Sequence, residues 1–317
     1  MNPILLGASW LIAHRSMLGV NQPYKITLNG QDFVLWQNQS GEISALDNVC
    51  PHMQAPLSDG WVCEARNTIT CPFHALEFDG QGRLYQEGKL DVQPIAKPLE
   101  LVVEEDWIWT YGGYAPKVPI PDLISKLTAE LEFLGVAGEK SIQGTFLSNL
   151  MINYDYNHQN GTHRELFKIK ANRIPFFEHN GYYAKVVQEL DRDDNTLGEI
   201  LSNPVLLTAP KTYSSTLEYS FPSITTFRVE SPTGTVLQVH VLYPETENRT
   251  KTFVLVYGKA SIPFLGRLLK NSFLRAVTTV VEQDTKVIES LYPREKPKIR
   301  LPKEEIMFYA EKLYRDW

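Results

Sequence analysis

From the first residues to about residue 114, apolar and polar positions alternate over short runs. YKITLNGQDFVLWQNQSGEISALDNVC (24–50) places its apolar residues two apart and interrupts them at Asn-Gly and Ser-Gly pairs, and EEDWIWTYGG (104–113) repeats the pattern. Period-two patterning cut at close intervals by turn formers predicts a small all-β unit over residues 1–114. The opening MNPILLGASWLIAHR reads as its first strand, since no positive residue precedes the apolar run and no small-residue cleavage site follows it. YGGYAPKVPIPDL (111–123) then concentrates Gly and Pro, which removes backbone donors and ends the strand pattern.

A second domain is expected over residues 115–317. It opens with helical spacing in LISKLTAELEFL (123–134) and again over 145–158. Long alternating runs follow in TYSSTLEYSF, TVLQVHVLYP and KTFVLVYGKA, separated by SPTG (231–234) and PETENRT (244–250), which predicts an antiparallel sheet joined by hairpins. The stretch FLGRLLKNSFLRAVTTVVEQDTKVIESLY (264–292) returns to helical spacing until Pro293, so the fold class is α+β: an all-β unit, then an antiparallel sheet closed by a long C-terminal helix. No internal repeat or low-complexity tract interrupts this plan.

Composition narrows the function classes. Hydrophobic residues at 43% and charged residues at 21% describe an ordinary globular chain. The formal net charge is -6, with basic residues scattered among acids, so no nucleic-acid footprint is present, although an acidic surface suits a basic protein partner. No uncharged run approaches the roughly 18 residues of a membrane helix, because Arg267, Lys270 and Arg275 break the most apolar segment. The expectation is a cytoplasmic protein without a membrane span. Three cysteines do not make a disulfide framework, which directs attention to metal and redox chemistry.

Two of those cysteines stand in parallel phrases, CPHMQAPLSDG at Cys50 and CPFHALEFDG at Cys71, so that Cys50, His52, Cys71 and His74 form a CxH and a CxxH pair. Two thiolates and two imidazoles suit either tetrahedral zinc or a two-iron, two-sulfide cluster. Zinc fingers keep each pair to one residue type, whereas here each pair mixes Cys with His. Prolines beside both cysteines, with Gly60 and Gly80, fit tightly turned loops. The passage resembles the Rieske domain of the Rieske non-heme iron oxygenases over most of residues 10–112. The resemblance implies a [2Fe-2S] cluster with the cysteines on the inner iron and the histidines on the outer one, at an exposed tip where electrons enter and leave. The chain departs from the family at two places: Met53-Gln54 stands where Arg-Gly is common, and Ala75-Leu76 where Gly-Trp is. Charge and hydrogen bonds beside the sulfurs tune the potential, so these departures bear on potential and docking. Cys63 has no histidine companion and reads as a small packing residue.

The second constellation is DYNHQNGTH (155–163). On a helix turning about 100° per residue, Asp155 and His158 share a face, but His158 and His163 diverge by about 140°. Both imidazoles reach one metal only if the helix swells or breaks, which Asn160-Gly161 permits. Two histidines and one carboxylate form the set that leaves iron with open positions for oxygen. In VVEQDTKVIES, Asp284 falls near the apolar positions Val280, Val281, Val287 and Ile288, a poor place for an unpaired carboxylate, and Glu282 competes with it.

This half resembles the catalytic part of the same family, whose pattern of acid, two residues, His, four residues, His is met by Asp155, His158 and His163. The resemblance implies a mononuclear Fe(II) held by His158, His163 and Asp284. It implies that Asp155 bridges His158 to the cluster histidine His74 of a neighbouring subunit, and that the assembly is a homotrimer. Electrons are expected from NAD(P)H through a separate reductase or ferredoxin, because no GxGxxG fingerprint occurs on this chain. The expected outcome is hydroxylation of a small organic molecule, with dioxygenation, demethylation and desaturation open at the same iron. An electron carrier lacking a working iron and a zinc-stabilised binding module are the alternatives of other classes. Phe227, Leu237, Tyr243 and the apolar side of 262–281 are candidate cavity walls. His14, His179 and His240 lack spaced companions and read as packing or surface residues, while Asn149 and Asn153 are candidates for support behind the ligands.

Overall fold

The computed structural model describes residues 3–231, 234–261, 263–293, 295, 297–302 and 304–317; the side chains of 205, 208 and 263–268 also lie outside the description. The chain forms two compact units: Met1–Ile120 with Tyr243–Glu247, and Pro121–Leu242 with Asn248–Trp317. The segment after Tyr114 stays with the first unit, where the Lys117 N–H donates to Gly7 O at 2.8 Å and Ser9 Oγ donates to Pro119 O at 3.4 Å.

The first unit contains three small sheets. Trp10–His14 pairs with Trp107–Thr110, which pairs with Val102–Glu104. Tyr24–Leu28, Gln31–Gln37 and Ile43–Asp47 form a meander. The short strands from Trp61–Cys63 to Lys89–Pro94 make a five-stranded sheet. Trp36, Leu46, Leu57, Ile69 and Phe78 are buried around Cys50 and Cys71, so both sulfurs sit in a hydrophobic core. The N–H groups of Asn29 and Gly30, at the tight turn of the meander, donate to the carbonyls of Pro244 and Glu245 at 2.8 and 2.6 Å.

The second unit is built on a seven-stranded antiparallel sheet in the order Glu132–Gln143, Arg249–Ala260, Gly234–Thr246, Ile224–Ser231, Thr212–Ser220, Tyr183–Arg192, Ile169–Asn180. From Ile169 onward each strand pairs with the next in sequence, and the first strand joins the last. The crossover between Gln143 and Ile169 carries the helix Phe146–Tyr154 and the histidine turn. The registers align Val186, Leu217, Phe227 and Gln238 across the sheet, and beside them Ala184, Tyr219, Thr225 and His240. Of the expected turn at 231–234, Pro232 and Thr233 lie outside the described residues, as does Ile262 at the head of the apolar segment.

Two elements differ from their sequence patterns. Helical spacing through LISKLTAELEFL ends at Thr128; the helix is Leu123–Thr128, and Glu132–Gln143 is a strand paired with Arg249–Ala260. The long helix Pro263–Ser290 is also not the last element, because Glu305–Arg315 follows it, burying Ile306 and Ala310 and stacking Tyr314 on Phe146 with ring centroids 6.2 Å apart. Among the described residues no helix is long and apolar enough to cross a membrane.

The strand Glu132–Gln143 accepts the long helix at close range because of its glycines. A Cβ at Gly135 would lie 3.1 Å from Leu274, one at Gly138 2.6 Å from Val281, and one at Gly144, just past the strand, 2.7 Å from Ile288. Those three partners are spaced seven apart, two helical turns each, so they form one stripe facing the strand. Ala137, Val254 and Val256 complete the contact with Val277 and Val281. Gly138 also has φ +59, where a side chain is strained. The substitution Gly138→Ala combines left-handed strain with overpacking, for an expected loss of about 2 to 5 kcal/mol, read as a lower midpoint in urea unfolding followed by tryptophan fluorescence.

Candidate metal centres

The two phrases around Cys50 and Cys71 fold into loops with matching main-chain bonds. The Cys50 N–H donates to Ala55 O at 2.9 Å and the Cys71 N–H to Leu76 O at 2.8 Å; the Gln54 N–H donates to Cys50 O at 3.0 Å and the Ala75 N–H to Cys71 O at 3.1 Å. Gln54 and Ala75 occupy the same place in the two loops, with φ of 57° and 54°. Gly60 lets the loops approach, since a Cβ there would lie 1.8 Å from the carbonyl oxygen of Thr70, just before Cys71. Gly80 is similarly close-packed against Ser44.

This scaffold buries both thiols and exposes both imidazoles. Burial, together with the neighbouring Cys71 sulfur, pushes the Cys50 thiol up. Two buried thiols in contact become thiolates most readily against a cation, because uncompensated charge in a hydrophobic core is costly. The His52 and His74 rings approach edge-on with centroids 4.7 Å apart, and Met53 and Phe73 beside them are 55% and 58% exposed. The four residues thus form an inner sulfur pair and an outer nitrogen pair, as a mixed-ligand two-iron cluster needs. Cys63 is free and half-buried in the strand Trp61–Cys63, apart from that donor set.

In the second unit the helix Phe146–Tyr154 ends at Asp155, whose backbone is extended, and a 3-10 turn His158–Asn160 and a short helix Arg164–Phe167 follow. The helix therefore breaks six residues before Gly161. Gly161 itself has an ordinary negative φ of -109°, so the Asn-Gly pair is not what breaks it. The break turns both Nε2 atoms inward, 3.1 Å apart, and brings Asp284 Oδ1 to 3.4 Å from His158 Nε2 and 3.0 Å from His163 Nε2. The three ligand atoms lie within 4.8 Å of one another. Glu282 points elsewhere and pairs with Lys140 at 3.8 Å.

The protons on the two rings follow from their outer neighbours. His163 Nδ1 faces Gln283 Oε1 at 2.7 Å, and His158 Nδ1 faces the main-chain carbonyl of Asp155. Both Nδ1 atoms therefore carry hydrogen, which leaves both Nε2 lone pairs aimed inward. Asp284 Oδ1 is buried without a hydrogen-bond donor. Three lone pairs converging in a buried space are unfavourable unless a cation sits among them, so the donor set fits a divalent metal and its two-histidine, one-carboxylate chemistry fits iron. Burial acts to raise the Asp284 carboxyl, but His158 and His163 outweigh it and hold the group well below the usual carboxylate range. Burial likewise opposes a charged His158, yet Asp284 and the Asp155 carbonyl keep it above its ordinary value.

The remaining sequence candidates fall out as follows. The Asp155 carboxylate accepts from the Asn157 N–H at 2.9 Å, so within the chain it is the Asp155 carbonyl, not the carboxylate, that meets His158. Asn149 is buried and donates to Thr145 O, while Asn153 donates to Asn149 O, each at 3.0 Å; both brace the helix before the turn. His14 caps a 3-10 turn and His179 packs on Tyr309. His240 was not legible as a site residue, yet it lies near enough to Asp284, His163 and His158 to respond to their charge. Gln283 and Phe167 also emerge only in three dimensions, the latter packing edge-on against His163 with centroids 5.2 Å apart.

A cavity of about 840 Å3 lies between the long helix and the sheet face bearing Phe227, Val236 and Gln238, with Val277 and Val280 on the helix side and Phe167 beside the metal ligands. Of the expected walls, Phe227 lines it. Leu237 does not, because strand alternation turns it to the opposite face from Val236 and Gln238, and Tyr243 belongs to the hairpin tip grouped with the first unit.

Two families match the chain: the Rieske [2Fe-2S] domain over residues 9–96 and the vanillate O-demethylase oxygenase C-terminal domain over residues 155–313. Among curated relatives, aminopyrrolnitrin oxygenase PrnD of Pseudomonas fluorescens is 32% identical over 130 residues, covering 37% of this chain and 35% of that protein. The oxygenase component of dicamba O-demethylase of Stenotrophomonas maltophilia is 31% identical over 168 residues, covering 49% of this chain and 47% of that protein. The chain thus spans about a third to a half of the length of these relatives. Dicamba monooxygenase bound to dicamba superposes with a TM-score of 0.79 at 17% identity, covering 99% of this chain and 98% of that one. Pseudomonas putida CBB5 NdmA with caffeine gives a TM-score of 0.67 at 16% identity, covering 98% and 90%. At these identities the superpositions establish the shared fold.

Two outcomes follow from the loops and the rings. Gln54→Gly and Ala75→Gly each relieve a left-handed side chain and are expected to stabilise the folded protein by about 1 kcal/mol, seen as a higher denaturation midpoint with unchanged visible absorption. Gln283→Leu frees the His163 tautomer and is expected to weaken Fe(II) binding by roughly 10- to 100-fold, measured by competition with a chelator.

Proposed function

Because the chain belongs to the Rieske non-heme iron oxygenase family, we propose that it is a terminal oxygenase (alpha) subunit that hydroxylates a small organic substrate with O2 and electrons drawn from NAD(P)H through a separate reductase or ferredoxin. The observation that carries this reading is the convergence of His158, His163 and Asp284, whose ligand atoms lie within 4.8 Å of one another, next to Phe167, which packs on His163 and lines the apolar cavity. In this reading Cys50, His52, Cys71 and His74 hold the [2Fe-2S] cluster, and His158, His163 and Asp284 hold the mononuclear iron. The cluster supplies single electrons and the iron supplies reductive activation of dioxygen.

The chain's own residues prepare the site. Gln283 and the Asp155 carbonyl keep the Nδ1 protons in place so that both imidazoles offer Nε2. Val277, Val280, Phe227 and Phe167 exclude water and leave the cavity to a substrate with much apolar surface. Asp155 is the bridging residue of the proposal: its carbonyl holds His158 Nδ1, and its carboxylate would accept from His74 of a neighbouring subunit within a cytoplasmic homotrimer. Its half-buried position immediately before the histidine turn supports that role.

A more specific variant of the reaction is favoured by the match over residues 155–313 and by the dicamba O-demethylase relative: the hydroxylated carbon would be a methyl on oxygen. Hydroxylating an O-methyl group gives a hemiacetal that splits into an alcohol and formaldehyde, so one atom of O2 leaves in formaldehyde and the other as water at a cost of two electrons and two protons.

Turnover of a metabolite library with reductase, NADH and labelled dioxygen is expected to give products carrying one labelled oxygen, or formaldehyde carrying it when a methyl ether is consumed. His158→Ala is expected to abolish this while the red-brown absorption of the cluster persists and the iron content falls from about three to about two per chain. Full oxygen insertion by that variant would overturn the iron assignment.

A further inference from the structure

The wall of the cavity is mostly hydrocarbon, with one amide set into it. Gln238 lines the cavity from the sheet, next to Phe227 in the cross-strand row. Two residues along the same strand face, His240 Nε2 stands 3.2 Å from Gln238 Oε1. Because this nitrogen faces an amide oxygen, it carries the hydrogen of the pair. With that N–H donated to Gln238 Oε1, the amide is held in one orientation and its NH2 is turned away from His240. Among the described residues that NH2 has no partner, and Gln238 lines the cavity.

No lining charge competes with it as an anchor. Arg192 is buried, but its Nε donates to Phe167 O at 3.0 Å and its Nη2 to Asn195 Oδ1 at 2.7 Å and Leu166 O at 3.4 Å, so it braces the turn behind His163. Lys259 pairs with Glu130 at 3.3 Å, and Lys270 and Glu132 are exposed to solvent. A volume of about 840 Å3 is toward the upper end of the roughly 300 to 1,000 Å3 of ligand pockets.

We propose that Gln238, locked by His240, is the specificity residue of this cavity, and that the substrate is a neutral, bulky, largely apolar molecule presenting one hydrogen-bond-accepting oxygen to the Gln238 amide. The inference rests on the cavity being the substrate site of the proposed oxygenase. A donor fixed in an apolar wall discriminates strongly, because a ligand without the acceptor leaves the N–H desolvated and unpaired.

The test uses one ring skeleton in three forms: fluorene, 9-fluorenone and fluorene-9-carboxylate. Binding to the iron-loaded, oxidised protein is measured by equilibrium dialysis with no reductant present, so that nothing turns over. The expected result is about tenfold tighter binding of the ketone than of the hydrocarbon, equivalent to about 1.4 kcal/mol, with the carboxylate weakest. Gln238→Leu should abolish the ketone preference, with fluorene bound at least as tightly as by the parent protein because no donor is left unpaired against it, and that retained fluorene binding reports an intact fold. His240→Phe should narrow the ketone preference without weakening fluorene. Equal binding of ketone and hydrocarbon, a preference that survives Gln238→Leu, a tightest carboxylate, or binding of none of the three overturns the inference. Because dialysis reads binding alone, loss of the ketone preference overturns this inference without touching the proposed activity, whose own test is the turnover with labelled dioxygen.

Discussion

The candidate iron site depends on how closely one helix lies on one strand. Leu274, Val281 and Ile288 press against backbone at Gly135, Gly138 and Gly144, where any Cβ would force the helix outward. Asp284 lies about 60° round the helix from Val281, and Glu282 about 100° round the other way. A helix seated on glycine brings the first to the histidines and leaves the second near solvent with Lys140. The same seating aims Val277 and Val280 into the cavity. Packing along roughly four turns thus sets both the coordination geometry and the shape available to a ligand.

The donor sets were legible in the sequence to the degree that chemistry forces residue type and spacing. Mixed Cys-His pairs admit few explanations, and a carboxylate among valines on a late helix calls for a partner. What could not be read was whatever depends on pairing across space. Glu132–Gln143 looks helical at its start because Leu127, Leu131 and Leu134 fall three to four apart, yet its partner strand and the helix above it decide otherwise. Gln283 meets His163 across 120 residues of chain and His240 acts through Gln238 on its own strand, and a lone amide or imidazole carries no signal by itself. The misplaced wall at Leu237 is an error of parity, since a strand position chosen one residue off lands on the other face.

The departures from the family at Gln54 and Ala75 acquire a structural meaning. Both occupy the left-handed place in loops that share one hydrogen-bonding scheme, where glycine is the unstrained choice. The chain bears that strain twice, two residues after His52 and one after His74. Main-chain bonds at Cys50 and Cys71 hold the loops against it, and a cluster bound by the same residues would add to that hold.

The hairpin tip Tyr243–Glu247 has a bearing on how the chain could be divided. Its two strands belong to the catalytic sheet, while its carbonyls at Pro244 and Glu245 receive the Asn29 and Gly30 amides of the Rieske-bearing unit. Cutting after Ile120 would strip two main-chain acceptors from the tight turn at Asn29 and Gly30 and hand those amides to water. Gene fusions or excisions that treat this family member as two beads on a string would inherit that defect.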